Sequence, residues 1–563
     1  MGFRTVRLML VLLTCLLLWA AVLWLLPASR AVRASPGTLF VTVSGTGTSC
    51  SQAQPCQLQT ALAQSVSGDT LYVAGGTYTG SGAAVVTITK SITLYGGWDG
   101  AAGGTVLRNP AANPSILDGQ GLRRGVHING AIAPTVDGFT IRRGNATFGP
   151  EPGFGGGIYS RGASPLIAHN ILTANVAYAG AESAWGYGGG LYLRGAPSRA
   201  VVRNNQVLAN IASGPGGGMG GGMCIHSSPQ VELLDNIVLD NTASITGGTG
   251  YGGGLAVVQS TGSTVAGNRV ESNRGSTGST ADQGRGGGLY LEESNNVLLS
   301  DNRVRNNVAS VAGPGYGGGI KANGVNDLLA TGNWVEGNTA AARPGADAQG
   351  GGVFVRASLN ANLSGNYVLG NTSNITMGLG GGLWMQSSSF TMTNNIVAGN
   401  RASDSGGGLA LDGYEPAPLS AILLHNTFAG NDVGSGDGQV GVYLCSNWVS
   451  VRLVNNLFSS HSYGLCAVGG TATLSHTLFY GHAISDTCGA GTIVNAAAIT
   501  GQDPLLDATY HLQPGSVAID AGADAGVTTD IDGHARPTGD GYDIGADEYA
   551  QVRVYLPVVR RKK

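Results

Sequence analysis

The sequence predicts an all-β chain, a parallel β-helix (β-solenoid), on three observations. A Gly-Gly-Gly triplet returns at nine spaced points starting at Gly155, Gly188, Gly220, Gly252, Gly286, Gly317, Gly350, Gly380 and Gly406, in steps of 26 to 34 residues. About fourteen residues behind most triplets stands an Asn, with a second Asn five further on. The first members include Asn205, Asn236, Asn268, Asn302, Asn333, Asn366 and Asn395, and Asn210 and Asn241 are examples of the second. Between these markers the residues are Val, Ile, Leu and Thr in runs of three to five, the chemistry of short strands rather than of helices. Self-similarity at such a period means a solenoid, a propeller or an array. A propeller blade needs four strands and aromatic signatures that are absent here.

Each element has its own justification. From triplet through Asn pair is a fixed segment of about 22 residues, room for three short strands and tight turns. Glycine ahead of the first strand supplies positive φ or a close backbone approach at a corner. The stretch up to the next triplet varies in length and carries loop residues such as Gly214-Pro215 and Arg343-Pro344-Gly345, so each unit reads as one coil plus one variable loop. Equivalent Asn residues of successive coils would lie about 4.8 Å apart, close enough for their amides to bond up and down a ladder. Ahead of the repeats, Phe40–Val43 reads as a strand. Leu58, Ala61, Leu62 and Val66 fall on one helical face, and such a helix would cover the first coil, whose edges would otherwise be open.

Composition agrees with a solenoid. There are 95 Gly in 563 residues and only 11% charged residues, against roughly 25% in ordinary globular proteins. The formal charge is −3, and the one basic cluster is the last four residues, so nucleic acid is not an expected partner. Arg4 and Arg7 precede an apolar run from Leu8 to Leu26, with small residues before Ser35. Residues 1–34 therefore read as a secretory signal, with an uncleaved signal anchor as the alternative. Either way the bulk of the chain leaves the cytoplasm, to an extracellular or cell-surface location. Export makes disulfides expected. Cys50 and Cys56 pair in a loop; Cys445–Cys466 is the first choice between stacked coils and Cys466–Cys488 the second, and Cys224 stays unpaired.

Gly68-Asp69-Thr70-Leu71-Tyr72-Val73-Ala74-Gly75-Gly76-Thr77-Tyr78, then Ile92-Thr93-Leu94-Tyr95-Gly96-Gly97, resembles the start of bacterial secreted right-handed parallel β-helix proteins of the pectate-lyase-like superfamily. The tail, with Asp503-Pro504-Leu505, Ala518-Ile519-Asp520-Ala521-Gly522, Asp530-Ile531-Asp532-Gly533, Arg536-Pro537 and Asp543-Ile544-Gly545-Ala546-Asp547-Glu548, resembles the choice-of-anchor Q domain of exported bacterial proteins. After the signal at 1–34, the resemblance implies a right-handed β-helix at 38–500, headed by the N-terminal capping helix, and a small Q-like domain at 501–549; the short basic tail at 550–563 departs from the family's pattern.

No catalytic constellation is legible. Two acids placed for glycoside hydrolysis, and calcium-binding acids beside a base, are both missing. Arg194, Lys321 and Arg356 could act as bases, but no acidic cluster shares their coils. No catalytic residue, metal ligand or cofactor is therefore assigned. Calcium is the one cofactor to consider, at the tail acids Asp520, Asp530, Asp532, Asp540, Asp543, Asp547 and Glu548, although Asx-turns and a pairing with Arg536 account for most of these without it.

Numbered from its triplet, each strand has apolar first and third residues, which point inward. The second and fourth then point out. These positions give a candidate binding stripe of Tyr159, Tyr192, Arg194, His226, Tyr290, Glu292, Lys321, Phe354, Arg356 and Trp384. Aromatic faces stack on sugars while flanking polar groups bond hydroxyls; alternatively, the tyrosines stack on one another beneath the variable loops. The expected function is a non-catalytic polysaccharide-binding or adhesive protein, with polysaccharide or cell-surface glycan and the cell envelope as partners. A lyase or glycoside hydrolase acting on a polyuronide is the alternative.

Overall fold

A computed structural model describes residues 36–431 and 440–550. The signal or anchor at 1–34 and nearly all of the basic tail lie outside the described residues. Three long parallel sheets wind around one apolar core. Sheet I has fourteen strands, from Ala84–Ile88 to Ser485–Cys488, and takes the strand behind each triplet. Sheet II has sixteen, from Thr38–Val41 to Thr492–Ala496, and sheet III fifteen, from Gly76–Tyr78 to Ile499–Thr500. The chain visits I, II and III in turn, and each strand pairs with its counterpart one coil away. Leu191↔Met223 and Leu193↔Ile225 are typical register pairs, and their side chains are wholly buried in the common core.

The triplet glycines stand where a side chain cannot. Gly188 has φ +60, and a Cβ there would lie 2.0 Å from the Leu191 carbonyl oxygen. The first Asn of each pair turns the chain from sheet II into sheet III. Asn302 donates from Nδ2 to the Val265 carbonyl (2.8 Å) and to Asn333 Oδ1 (3.0 Å). Its own Oδ1 accepts from the Asn268 backbone N–H and Nδ2, both at 3.0 Å. The pattern continues through Asn205, Asn236, Asn333, Asn366 and Asn395, all buried. The amide thus satisfies groups that a corner leaves without partners inside a dry core.

Two corrections concern the variable stretches. They are not plain loops: six of them carry two further short strands and a seventh carries one, which stack into a six-stranded sheet (Val176–Tyr178 to Thr339–Ala341) and a seven-stranded sheet (Gly186–Tyr187 to Gly378–Leu379). Strands of two or three residues carry too little alternation to register as a pattern. The seven-stranded sheet passes close by sheet I, and the second-position residues of the stripe are consequently buried instead of facing water. Tyr159, Tyr192, Tyr290, Phe354 and Trp384 are at most 2% exposed and Lys321 4%.

The helix α1, Leu58–Gln64, buries Leu58 and Ala61 in the solenoid core and stops short of Val66. Cys50 and Cys56 are bonded just before it. The pairing Cys445–Cys466 is replaced by Cys466–Cys488. Register explains this: Tyr443 stands opposite Cys466, which puts Cys445 two residues beyond it, whereas Cys466 and Cys488 stand opposite each other. Cys224 and Cys445 are free thiols.

Residues 501–549 lie along the outer face of sheet III. Leu512, Ala518 and Ile544 pack on Leu457 and Leu478, and Ala546 packs on Ile396, Ala398 and Ala429. Backbone bonds fix the alignment, with Gly545 N–H donating to the Asn455 carbonyl and Ala546 N–H to Thr427 Oγ1, both at 2.9 Å. Among the described residues no helix is long and apolar enough to cross a membrane.

Candidate functional site: the rim of sheet I

Alternation along each sheet I strand separates two columns of non-core side chains. The second-position column lies between sheet I and the seven-stranded sheet. Tyr159 and Tyr192 stack with ring centroids 5.6 Å apart at 11°, and Phe154 lies 5.3 Å from Tyr192. Tyr290 meets Tyr251 edge-on at 4.9 Å. These rings form apolar filling between two sheets, and burial pushes the Tyr192 and Tyr290 hydroxyls well above the usual phenol range. They offer no open face to a sugar.

The fourth-position column emerges as a polar rim. Arg194 and Arg356 are exposed, while His226, Glu292, Asn323, Gln386 and Asp412 are half-buried. His226 Nδ1 lies 3.3 Å from the Tyr192 hydroxyl, and burial with the nearby Arg194 charge holds its pKa below the usual imidazole value. Asn323 Nδ2 reaches Glu292 Oε1 at 3.5 Å and Gln386 Nε2 reaches Asp412 Oδ2 at 3.3 Å. Successive rim residues stand about 4.8 Å apart. Glu292 and Asp412 are four coils apart in the register, roughly 19 Å on that spacing. That is too far for two carboxyls acting together on one glycosidic bond, which need about 5–10 Å. The rim offers hydrogen bonds and charge at a regular repeat, which is chemistry for binding an extended polymer.

One position joins the columns. Lys321 takes the place of a ring between Tyr290 and Phe354. Its Nζ lies 4.5 Å from the Phe354 ring centroid and 4.9 Å from that of Tyr316. Burial, with Arg285 and Arg356 nearby and only Glu292 opposing, brings its pKa down to about 7.

One family model matches the chain. It is that of the right-handed β-helix region, over residues 116–270 and 219–343. No curated protein sequence matches. Among solved structures, a periplasmic alginate epimerase is similar at 12% identity and a TM-score of 0.39, over 74% of this chain and 83% of its own. A pectate lyase is similar at 12% identity and a TM-score of 0.28, over 92% and 97%. The catalytic unit of an α-1,3-glucanase from Streptomyces thermodiastaticus is similar at 13% and 0.31, over 85% and 72%. These are likenesses of fold alone.

Two features were not legible from the triplets. On sheet III the residues following the first Asn form an outward line of Arg269, Arg303, Trp334 and Tyr367, with Trp334 and Tyr367 stacked at 4.5 Å. Numbering from the Asn instead of from the triplet would have found it. The other is His534 in the C-terminal segment, which joins three of the tail acids considered for calcium: ligand atoms of Asp530, Asp532, His534 and Asp547 lie within 4.8 Å of one another. These are the described residues able to hold a metal ion together. Asp530 already accepts from the N–H groups of Asp532, His534 and Glu548. Arg536 pairs with Glu548 at 2.7 Å, both wholly buried. Asp543 accepts from the Asp520 and Tyr549 N–H groups, and burial brings its pKa up to about 7.

Proposed function

We propose that the chain is an exported repeat protein of the bacterial surface or its surroundings, which binds a polysaccharide or cell-surface glycan along the rim of sheet I without transforming it. The observation that carries the reading is the rim itself: hydrogen-bonding and charged side chains on successive coils, interrupted at Val258, on a rigid parallel scaffold. A glycan repeats at a fixed step and carries many hydroxyls, so a ladder of fixed polar groups meets it with little ordering cost. Two disulfides fit an exported protein. The export signal at 1–34, the covering of the first coil by α1 and the Q-like character of 501–549 belong to the same reading, with the cell envelope as the place of attachment. Calcium at the Asp530 cluster would brace the C-terminal segment.

The test is retention of the mature protein on immobilised polysaccharides, with Arg194→Ala and Arg356→Ala together as the variant. Both side chains are exposed, so melting should change by less than about 0.5 kcal/mol while retention falls about tenfold. Full retention by the double variant would overturn the rim as the binding surface.

A further inference from the structure

The second-position column is apolar or aromatic except at Lys321. An amine in such a place costs free energy unless an acceptor receives it. No protein acceptor receives Nζ among the described residues: it lies against the Tyr316 and Phe354 rings in a residue 4% exposed, and the atom itself still reaches the surface. Its charged neighbours are of the wrong sign. Arg285, from the seven-stranded sheet, and Arg356, one coil on, are both close enough to disfavour the ammonium, and Glu292 is the one acid that favours it. Glu292 itself is engaged by Asn323. One further donor in this neighbourhood, Arg285 Nε, is buried and without a partner, and the buried Tyr290 hydroxyl has Glu292 beside it. Arg285 gives one N–H to Gln283 Oε1 at 2.9 Å. The aromatic neighbours Tyr251, Tyr290 and Tyr316 complete the surroundings, with Asp347 held by the Tyr316 hydroxyl at 3.1 Å.

We propose that Lys321, flanked by Arg285 and Arg356, is the receiving site for an oxyanion, the carboxylate or sulfate ester of an acidic glycan lying along the rim. The proposal rests on the glycan reading above and adds the charge class of the ligand. Three cations stand against Glu292 beside Lys321 and against Asp347 beyond the Tyr316 hydroxyl, and an incoming oxyanion supplies an acceptor to the amine and to Arg285 Nε. A hydrocarbon at position 321 would pack between the two rings without the desolvation cost of the amine, a cost that the two ring contacts offset only in part. Binding is then linked to protonation. The anion binds the ammonium form, and with a lysine near pKa 7 the affinity falls about tenfold between pH 6 and pH 8 as the amine loses its proton.

The experiment uses the full mature chain and three probes: an oligogalacturonate, a sulfated dextran and a neutral β-glucan. Binding is followed by calorimetry at pH 6 and pH 8, for the wild type, Lys321→Met and Arg356→Gln. Expected are binding of an acidic probe, its loss by at least tenfold in Lys321→Met, weakening in Arg356→Gln, and proton uptake on binding. Carboxylate and sulfate arms tell which oxyanion is received. Lys321→Met removes a buried charge and should melt no lower than the wild type, which separates lost binding from lost folding. Undiminished binding of acidic probes by Lys321→Met would overturn the proposal. So would retention of the neutral probe alone, which would leave the glycan reading standing; failure of all three probes would overturn both.

Discussion

Asn302 shows how much one side chain does in this fold. It makes three donor bonds and two acceptor bonds across neighbouring coils, counting its backbone N–H to Asn333 Oδ1. Leucine has the same branching and number of heavy atoms but none of these groups. Asn302→Leu leaves the Asn268 backbone N–H buried without its acceptor and takes one donor from the Val265 carbonyl, at roughly 1–3 kcal/mol for the abandoned group. The urea midpoint should fall accordingly, and an unmoved midpoint would mean the ladder contributes nothing to stability. Nearest-neighbour coupling in a solenoid should confine the damage to adjoining coils, visible as faster amide exchange around Asn268 and Asn333.

The two columns of a sheet I strand make opposite predictions. Tyr192 and Arg194 are two residues apart on the strand Leu191–Arg194. Tyr192 is 1% exposed and packed among Tyr159, Tyr187 and Phe154, while Arg194 faces solvent. Tyr192→Ala should cost roughly 3–5 kcal/mol through the cavity it leaves, and Trp384→Ala a similar amount. Thermal melting decides it: a Tyr192→Ala protein that melts with the wild type would return the aromatic column to the surface and reopen it as a sugar platform.

For the whole molecule the question is how the C-terminal segment is held on sheet III. Arg536 and Glu548 are ion-paired with both side chains wholly buried. Arg536 also donates to the Gly545 carbonyl at 2.9 Å, and Glu548 accepts from the Asp543 N–H at 3.1 Å. Removing one charge of a buried pair strands the other, at about 3–5 kcal/mol. Glu548→Gln should therefore loosen residues 501–549 while the coils stay intact. Limited proteolysis should cut that segment first. Cleavage no faster than in the wild type would show that apolar packing alone holds it.

The coil was legible because its constraints repeat. Gly188 and its equivalents cannot take a Cβ, Asn302 and its equivalents must satisfy a buried corner, and Leu191 and Leu193 must face the core; nine repetitions make each requirement visible in the sequence. What faces outward was not legible, because alternation only separates core from non-core. Whether a non-core side chain meets water depends on what lies over it. Tyr159 to Trp384 are covered by strands of two residues, too short to announce themselves. The same limit governed the cysteines. The 21- and 22-residue spacings of Cys445, Cys466 and Cys488 are nearly equal, and only the register, with Tyr443 opposite Cys466, decides that Cys488 is the partner. Local requirements are written into a repeat by sterics and hydrogen bonding. Coverage, strand register and the meeting of Lys321 with Arg285 depend on contacts between separate coils and sheets, and those were settled only when the chain packed against itself.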